Sequence, residues 1–421
     1  MKAALHPTLA SSDGVLAAEP PLRPRMPDAP ELARVLAASH LNAPCSPAIA
    51  ATGSPAEVAR RWHDALGVMD GFAGILLDAG QLTSVRRLAD EYLAGRTALF
   101  RLRMTTDKIV VADGHLIADQ AFHRGDGAPT FAGVEPGNLP RACDVLAELG
   151  WAALSYERLG AGDRVDLLRR EYIGHTADDS PSSLFHHYIA QGAVVRCAVA
   201  CLRYEQGDAS AARSARELLD IAFEHCCLGR IVMAIVGGPP GAGKSTVASS
   251  IGAALGWTVI RSDEVRRDMV GGAPGAGSSE WLSTHFSIAA TERTYDEMLR
   301  RADVRLGLGE SVILDATWAA AAQRAAAVER AAAAHSVLVS LRCDVAALTA
   351  ETRVGRRIAA GRDISMATVA VARQIASTFE PWPGATTVDT SLSLPETLAG
   401  VLATLRMATT PLPLAGKMAE P

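Results

Sequence analysis

From about residue 30 to residue 228, apolar side chains recur at three- and four-residue spacing, the pattern of amphipathic helices. ELARVLAAS, SPAEVARRWHDALGVM and GQLTSVRRLADEYLAGRTALFRLRM carry it, several behind a serine or proline that marks a helix start. One interruption breaks the series: KIVVADGHLIADQAF and PTFAGVEPGN predict short strands around a turn. Helices resume with RACDVLAELGWAALSYERLG and continue to ARELLDIAFEHCCLG.

At Arg230 the period changes. RIVMAIVGG, TVIRSDE, SVILDAT, SVLVSLRCD and ATTVDTS are short β-branched runs separated by long helical stretches. Strand and helix in alternation predict an α/β domain, a parallel five-stranded sheet covered by helices on both faces. A boundary near 228 then separates a mainly helical domain, 30–228, from a sheet domain, 229–408. The alanine-rich stretch AAAAQRAAAVERAAAAH has helix-forming composition and reads as a covering helix. Residues 1–29, rich in Pro, Ala and Ser, and residues 409–421 read as disordered tails.

Composition narrows the function classes. An apolar fraction of 49% supports real cores, and a net charge of -5 argues against a nucleic-acid coat or a polybasic membrane anchor. No apolar run approaches the roughly 18 residues of a membrane span, and no signal segment is recognisable at the start. Seven cysteines without CxxC pairs do not form a disulfide or zinc framework, and Cys197 and Cys201, one helical turn apart, read as small buried residues. A cytoplasmic protein is expected. Aromatic residues make up 5% of the chain and do not interleave with basic ones, so no clear nucleic-acid surface is expected.

The chemistry concentrates in IVGGPPGAGKST, residues 235–246. Gly238-Pro-Pro-Gly-Ala-Gly243-Lys244-Ser245 satisfies G-x-x-x-x-G-K-[ST], the phosphate-cradling loop between a buried strand and a helix. Glycines let successive backbone N–H groups turn inward toward phosphate oxygens. The helix that follows adds its positive N-terminal end. The chain has only four lysines among its 41 basic residues, and Lys244 is one of them. A compact ammonium on a flexible stem can follow a phosphoryl group where a rigid guanidinium fork could not. Gly238, Gly241, Ala242, Gly243, Lys244, Ser245 and Thr246 are therefore the expected ATP cradle, with the Ser245 hydroxyl available to Mg²⁺.

Three further features follow in the order that such a sheet uses them. Ligands sit at the carboxyl ends of parallel strands, so Asp263, after the second strand, faces the transferred phosphate. It can accept a proton from an attacking hydroxyl or hold Mg²⁺ through water; the competing reading is a helix N-cap. Arg266, three residues on, shares its face and can hold an anionic substrate. Asp315, ending the third strand in SVILDATW, is placed to organise Mg²⁺ and its water. Arg353, Arg356, Arg357 and Arg362 then repeat at helical spacing before a loop; we read them as a lid over ATP rather than a solvated basic face. Gln374 and Glu380 read as structural.

With these residues in place, 230–407 resemble the P-loop kinase group that includes polynucleotide kinase, gluconate kinase and zeta toxins. The match is closest to the AAA-type bacterial domain found behind an aminoglycoside-phosphotransferase-like domain. GxPGxGKST, RSDxxR, DATW and an arginine-rich lid ahead of FEP occur in that order. The resemblance implies Lys244 and Ser245 at phosphate and Mg²⁺, Asp263 as base, Arg266 on substrate, and Arg353 and Arg357 on the nucleotide. It also implies that 30–228 resemble the C-terminal lobe of an aminoglycoside phosphotransferase, in damaged form. Where that family has H-G-D-L, this chain has Asp113-Gly114-His115-Leu116, with Gln120 at the later polar position. Ala132 stands where a metal-binding Asp is expected, though Glu135 remains. No Gly-rich, Lys-bearing lobe precedes residue 30, so this domain is expected to be a pseudokinase remnant that serves as scaffold or substrate-binding platform.

The function expected is an ATP- and Mg²⁺-dependent kinase acting on a hydroxyl of a small molecule or nucleotide. The alternative is a nucleotide-gated regulatory or scaffold protein with little turnover. A zeta-toxin-like kinase of nucleotide-sugars is a third. The acceptor is chosen by the region of 266–300, which carries no readable code; GGAPGAGSSE within it reads as a closing entrance or a surface linker.

Overall fold

The computed structural model describes residues 28–112, 141–270, 287–360 and 369–410. They divide into two compact units, one built mainly from residues up to Gly229 and the other from Arg230 onward. The expected catalytic-loop counterparts Asp113, His115, Gln120, Ala132 and Glu135, the GGAPGAGSSE segment and Arg362 all lie outside the described residues.

The first unit is helical, as its periodicity requires. Its elements are α1 (Ala29–Asn42), α2 (Pro47–Ala51), α3 (Pro55–Asp70), α4 (Ala79–Gly95), α5 (Thr97–Thr105), β1 (Ile109–Ala112), β2 (Arg141–Asp144), α6 (Val145–Arg158), α7 (Val165–Thr176), α8 (Ser182–Glu205) and α9 (Ala211–Leu228). Ser46 and Ser54 cap α2 and α3, each accepting from a backbone N–H three residues on, with proline in the first turn. Two expectations change. The helix anticipated over 80–104 is two helices, broken after Gly95, a residue that weakens a helix interior. Arg141–Asp144, anticipated as the start of a helix, is instead a strand antiparallel to β1. The Asp144 carboxylate accepts from the Leu146 N–H at 2.9 Å, so it caps α6 and fixes where that helix begins.

Several buried polar groups among the described residues of this unit are paired. The Arg103 guanidinium donates to Asp144 (Nε to Oδ2, 2.8 Å), to both oxygens of Asp178 (2.8 Å) and to Ser180 Oγ (2.6 Å). Burial opposes its charge, and the two carboxylates outweigh that, holding its pKa above the usual arginine value. His187 is buried, stacked on Tyr92 at 4.4 Å and accepting from Trp62 Nε1 at 3.1 Å, which makes it a core residue. Cys197 and Cys201 are buried as expected.

The second unit comprises β3 (Val232–Gly237), α10 (Lys244–Leu255), β4 (Thr258–Arg261), α11 (Ser262–Val270), α12 (Ile288–Gly307), β5 (Val312–Asp315), α13 (Ala321–Ala333), β6 (Val337–Asp344), α14 (Ala347–Ala360), α15 (Val369–Ser377), β7 (Thr386–Asp389) and α16 (Leu394–Thr409). The sheet is five-stranded and wholly parallel, in the order β4-β5-β3-β6-β7. Central β3 is buried along its whole length, which is why its sequence is a continuous apolar run rather than an alternation. Val232, Ala234 and Val236 pack with Val247 and Ile251 of α10 and with Val401 and Leu405 of α16 on one face. The alanine-rich α13 packs against β6, as a covering helix.

An Arg103→Ala substitution leaves Asp144 and Asp178 buried without their guanidinium. We expect a loss of about 3–5 kcal/mol in urea unfolding of the full chain, the range for breaking a buried pair. A change below about 1 kcal/mol would show that the network is dispensable.

Candidate functional site

The loop between β3 and α10 is shaped by close approach. Gly238, Gly241 and Gly243 have φ of 132°, 84° and 87°, in the region that glycine enters without a Cβ penalty. Space imposes the same choice. A Cβ on Gly238 would stand 2.5 Å from the Cys343 carbonyl oxygen, and one on Gly241 would overlap the Ala350 carbonyl of α14. A Cβ on Gly243 would stand 3.2 Å from Thr390 Cβ. The loop is thus enclosed by the end of β6, the first turn of α14 and the residue after β7.

Hydrogen bonds lock the enclosure. Thr390 Oγ1 donates to the Ala242 carbonyl at 2.8 Å, and Ala242 is fully buried. The Arg353 guanidinium donates to the Thr390 carbonyl (2.8 Å), to Thr390 Oγ1 (3.2 Å) and to the Gly241 carbonyl (3.5 Å). On the other side, the Gly238 N–H donates to the Thr317 carbonyl at 3.0 Å. The loop is held from both flanks before any ligand arrives. Lys244 begins α10, and the first-turn N–H groups of a helix have no intrahelical acceptor, so they face the loop as anion donors. Ser245 is half-buried in that turn and Thr246 is exposed.

Lys244 is where the charges converge. Its ammonium donates to the Pro239 carbonyl at 3.1 Å. Burial holds its pKa below the usual lysine value; the Asp315 and Asp263 carboxylates pull it back up, and Arg357 pushes it down. These three charged side chains therefore lie within electrostatic reach of one ammonium, although they come from three different elements. Burial pushes the Cys343 thiol up to about 12, so it stands there as a neutral, inert group.

Asp315 ends β5 and is 4% exposed. In the β4–β5 register it lies opposite Arg261, whose Nε donates to its Oδ2 at 3.3 Å. The strand before Asp263 ends at Arg261, so Asp263 stands in the first turn of α11, two residues past the strand. Arg266 Nη1 lies 3.4 Å from Asp263 Oδ1. Burial lowers the Arg266 pKa, partly offset by Asp263 and Tyr295.

The arginines at the start of the expected lid separate into two faces. Arg353 and Arg357, one turn apart on α14, are half-buried toward the loop, while Arg356 is exposed. Glu380 is structural: its carboxylate accepts from the Ala321 N–H at 2.6 Å. Sequence reasoning gave no role to several residues that complete the site. Tyr295 of α12 is within 3.0 Å of Thr317 Oγ1 and accepts from the Trp318 N–H at 3.0 Å. Trp318 is fully buried at φ 52°, with its indole N–H on the Leu314 carbonyl at 3.1 Å. Thr390 could have been found as the first residue past the last strand, where parallel sheets bind their ligands.

Hard oxygen donors suit Mg²⁺, and the Ser245 hydroxyl and Asp315 carboxylate are of that class; phosphate oxygens and water complete the shell in such sites. Among the described residues no cluster of three or more His, Cys, Asp or Glu side chains could hold a metal ion. None of the described helices is long and apolar enough to cross a membrane.

The family model described as an AAA domain matches residues 233–382. Among solved structures, a gluconokinase from Sinorhizobium meliloti is 19% identical, covering 42% of this chain and 93% of its own, with a TM-score of 0.31. The APS kinase CysC of Mycobacterium tuberculosis is 20% identical over 42% of this chain and 97% of its own, with a TM-score of 0.33. Uncharacterized proteins of Mycobacterium tuberculosis and Mycobacterium bovis are 34% identical over 362 residues, 86% of this chain and 72% of theirs. With that identity over most of both lengths, the chain belongs to the same family as these mycobacterial proteins, and its second unit carries the AAA domain.

Proposed function

We propose that the second unit is an ATP- and Mg²⁺-dependent phosphotransferase that moves the γ-phosphate to a hydroxyl of a small molecule or nucleotide. The observation that carries this reading is the convergence of Asp263, Asp315 and Arg357 on Lys244 beside a glycine-lined loop. A nucleotide-binding loop alone needs no carboxylate at position 263; transfer to a hydroxyl does, because the attacking oxygen must lose a proton.

In this reading the loop's backbone N–H groups and the α10 N-terminus bind the phosphate chain. Lys244 follows the transferring phosphoryl group on its flexible stem. The Asp263 carboxylate takes the acceptor proton, and Arg266 at 3.4 Å keeps that carboxylate oriented. Ser245 and Asp315 hold Mg²⁺, which neutralises charge on the phosphate oxygens when bound. Arg357 adds positive charge from α14. We assign the first unit no transfer chemistry, on the strength of His115 and Ala132 in its sequence.

The first experiment is acceptor-stimulated ATP turnover by the full chain, using pooled sugars, polyols and nucleosides. Lys244→Ala should abolish turnover and Asp263→Asn should reduce it at least ~100-fold, the low end for a general base. Turnover that survives Lys244→Ala would place transfer in the first unit and overturn the assignment. Nucleotide binding without stimulation by any pool would favour a nucleotide-gated scaffold instead. Gly241→Ala should abolish nucleotide binding measured by isothermal titration while the far-ultraviolet circular dichroism stays unchanged. Wild-type affinity in that variant would disprove the tight fit of the loop against Ala350.

A further inference from the structure

Arg261 takes part in none of the steps above, yet it touches the carboxylate assigned to the metal. Its Nε is 3.3 Å from Asp315 Oδ2, and its Nη1 is 3.6 Å from Glu264 Oε1 one turn along. Both contacts are longer than the 2.7–2.9 Å typical of charge-assisted N–H···O bonds. The guanidinium is therefore shared loosely between two carboxylates rather than committed to one. Asp315 is almost fully buried, and a buried carboxylate without a countercharge costs several kcal/mol. Glu264, in contrast, is partly exposed and tolerates losing or gaining a partner.

We propose that Arg261 is a placeholder cation for Asp315, which yields that carboxylate to Mg²⁺ and moves onto Glu264. This rests on the reading of Asp315 as a metal-holding residue and adds a positioning residue to it. The register makes the exchange local. Arg261 and Asp315 are opposite each other at the ends of β4 and β5, so the guanidinium and an incoming divalent ion compete for the same carboxylate. Glu264 stands in the first turn of α11, three residues on and already 3.6 Å from Nη1, so only the side chain has to turn. The consequence is a metal affinity set lower than the carboxylate alone would give.

The test measures binding, not turnover. The full chain is titrated with the non-hydrolysable analogue AMPPNP at a series of Mg²⁺ concentrations, and the Mg²⁺ level that gives half of the metal-dependent gain in affinity is read. Arg261→Gln should lower that level about tenfold, equivalent to about 1.4 kcal/mol. In EDTA without nucleotide the same variant should melt several degrees below wild type, and Mg²⁺ with AMPPNP should close that gap. Arg261→Lys, which keeps the charge, should stay within about twofold of wild type. Arg267→Gln, which removes an exposed charge on α11, should leave the Mg²⁺ level unchanged. An unchanged or raised Mg²⁺ requirement in Arg261→Gln overturns the proposal, as does an equal effect of Arg267→Gln. Failure of the underlying reading looks different: Asp315→Asn would leave the Mg²⁺ dependence of AMPPNP binding as it is in the wild type.

Discussion

The tight enclosure of the glycine loop is the constraint on which the second unit depends. At Gly238, Gly241 and Gly243 a side chain has nowhere to go, because the Cys343 carbonyl, the Ala350 carbonyl and Thr390 already occupy that space. Each neighbour comes from a different part of the fold: the end of β6, the first turn of α14 and the position after β7. The loop takes its shape only if β3 is central and β6 and β7 are ordered beside it, as in β4-β5-β3-β6-β7. The continuous apolar run of β3 and the bareness of the loop are thus linked. The first buries the strand on both faces, and the second lets its neighbours close over its end.

Once the loop is closed, charge has to be managed. Lys244 and Asp315 lie where desolvation penalises ions, and opposite charges nearby offset the penalty. The site does this with two carboxylates and one guanidinium in reach of one ammonium. These side chains come from α11, β5 and α14, so the balance is a tertiary property. The first unit follows the same rule away from any site, where Arg103 is held between Asp144 and Asp178. There the partners lie at 2.5–2.8 Å, whereas Arg261 and Arg266 meet their carboxylates at 3.3 and 3.4 Å. The short set reads as scaffold and the long set as groups able to move.

The sheet and the cradle were legible because their signals are local. Short β-branched runs alternate with helices, and G-x-x-x-x-G-K-S needs only eight consecutive residues. Asp315 was legible too, since it ends a recognisable strand. Sequence places Arg353 in the lid and on the nucleotide, and does not show its hold on the loop, because Gly241 and Thr390 are 112 and 37 residues away and spacing carries no trace of them. Tyr295 was missed for the same reason, as its hydroxyl meets Thr317 and Trp318 from a helix with no motif. The strand at Arg141–Asp144 was mistaken for a helix because its four residues run directly into a strongly helical pattern. Only pairing with Ile109–Ala112 and the capping carboxylate of Asp144 reveal the boundary.

The two α14 arginines show what geometry adds to a motif. In sequence Arg353 and Arg357 are equivalent, one turn apart on one face. In the structure Arg353 spends its donors on the Gly241 and Thr390 carbonyls and the Thr390 hydroxyl, so it is committed to holding the loop shut around its glycines. Arg357 is the one whose charge reaches Lys244. A guanidinium tied to backbone carbonyls cannot also follow a moving phosphoryl group without releasing the loop. A guanidinium one turn further along can approach the same phosphates while the clasp stays closed. Under the proposed function, Arg357 is the one of the pair whose charge would act during transfer, while Arg353 holds the loop.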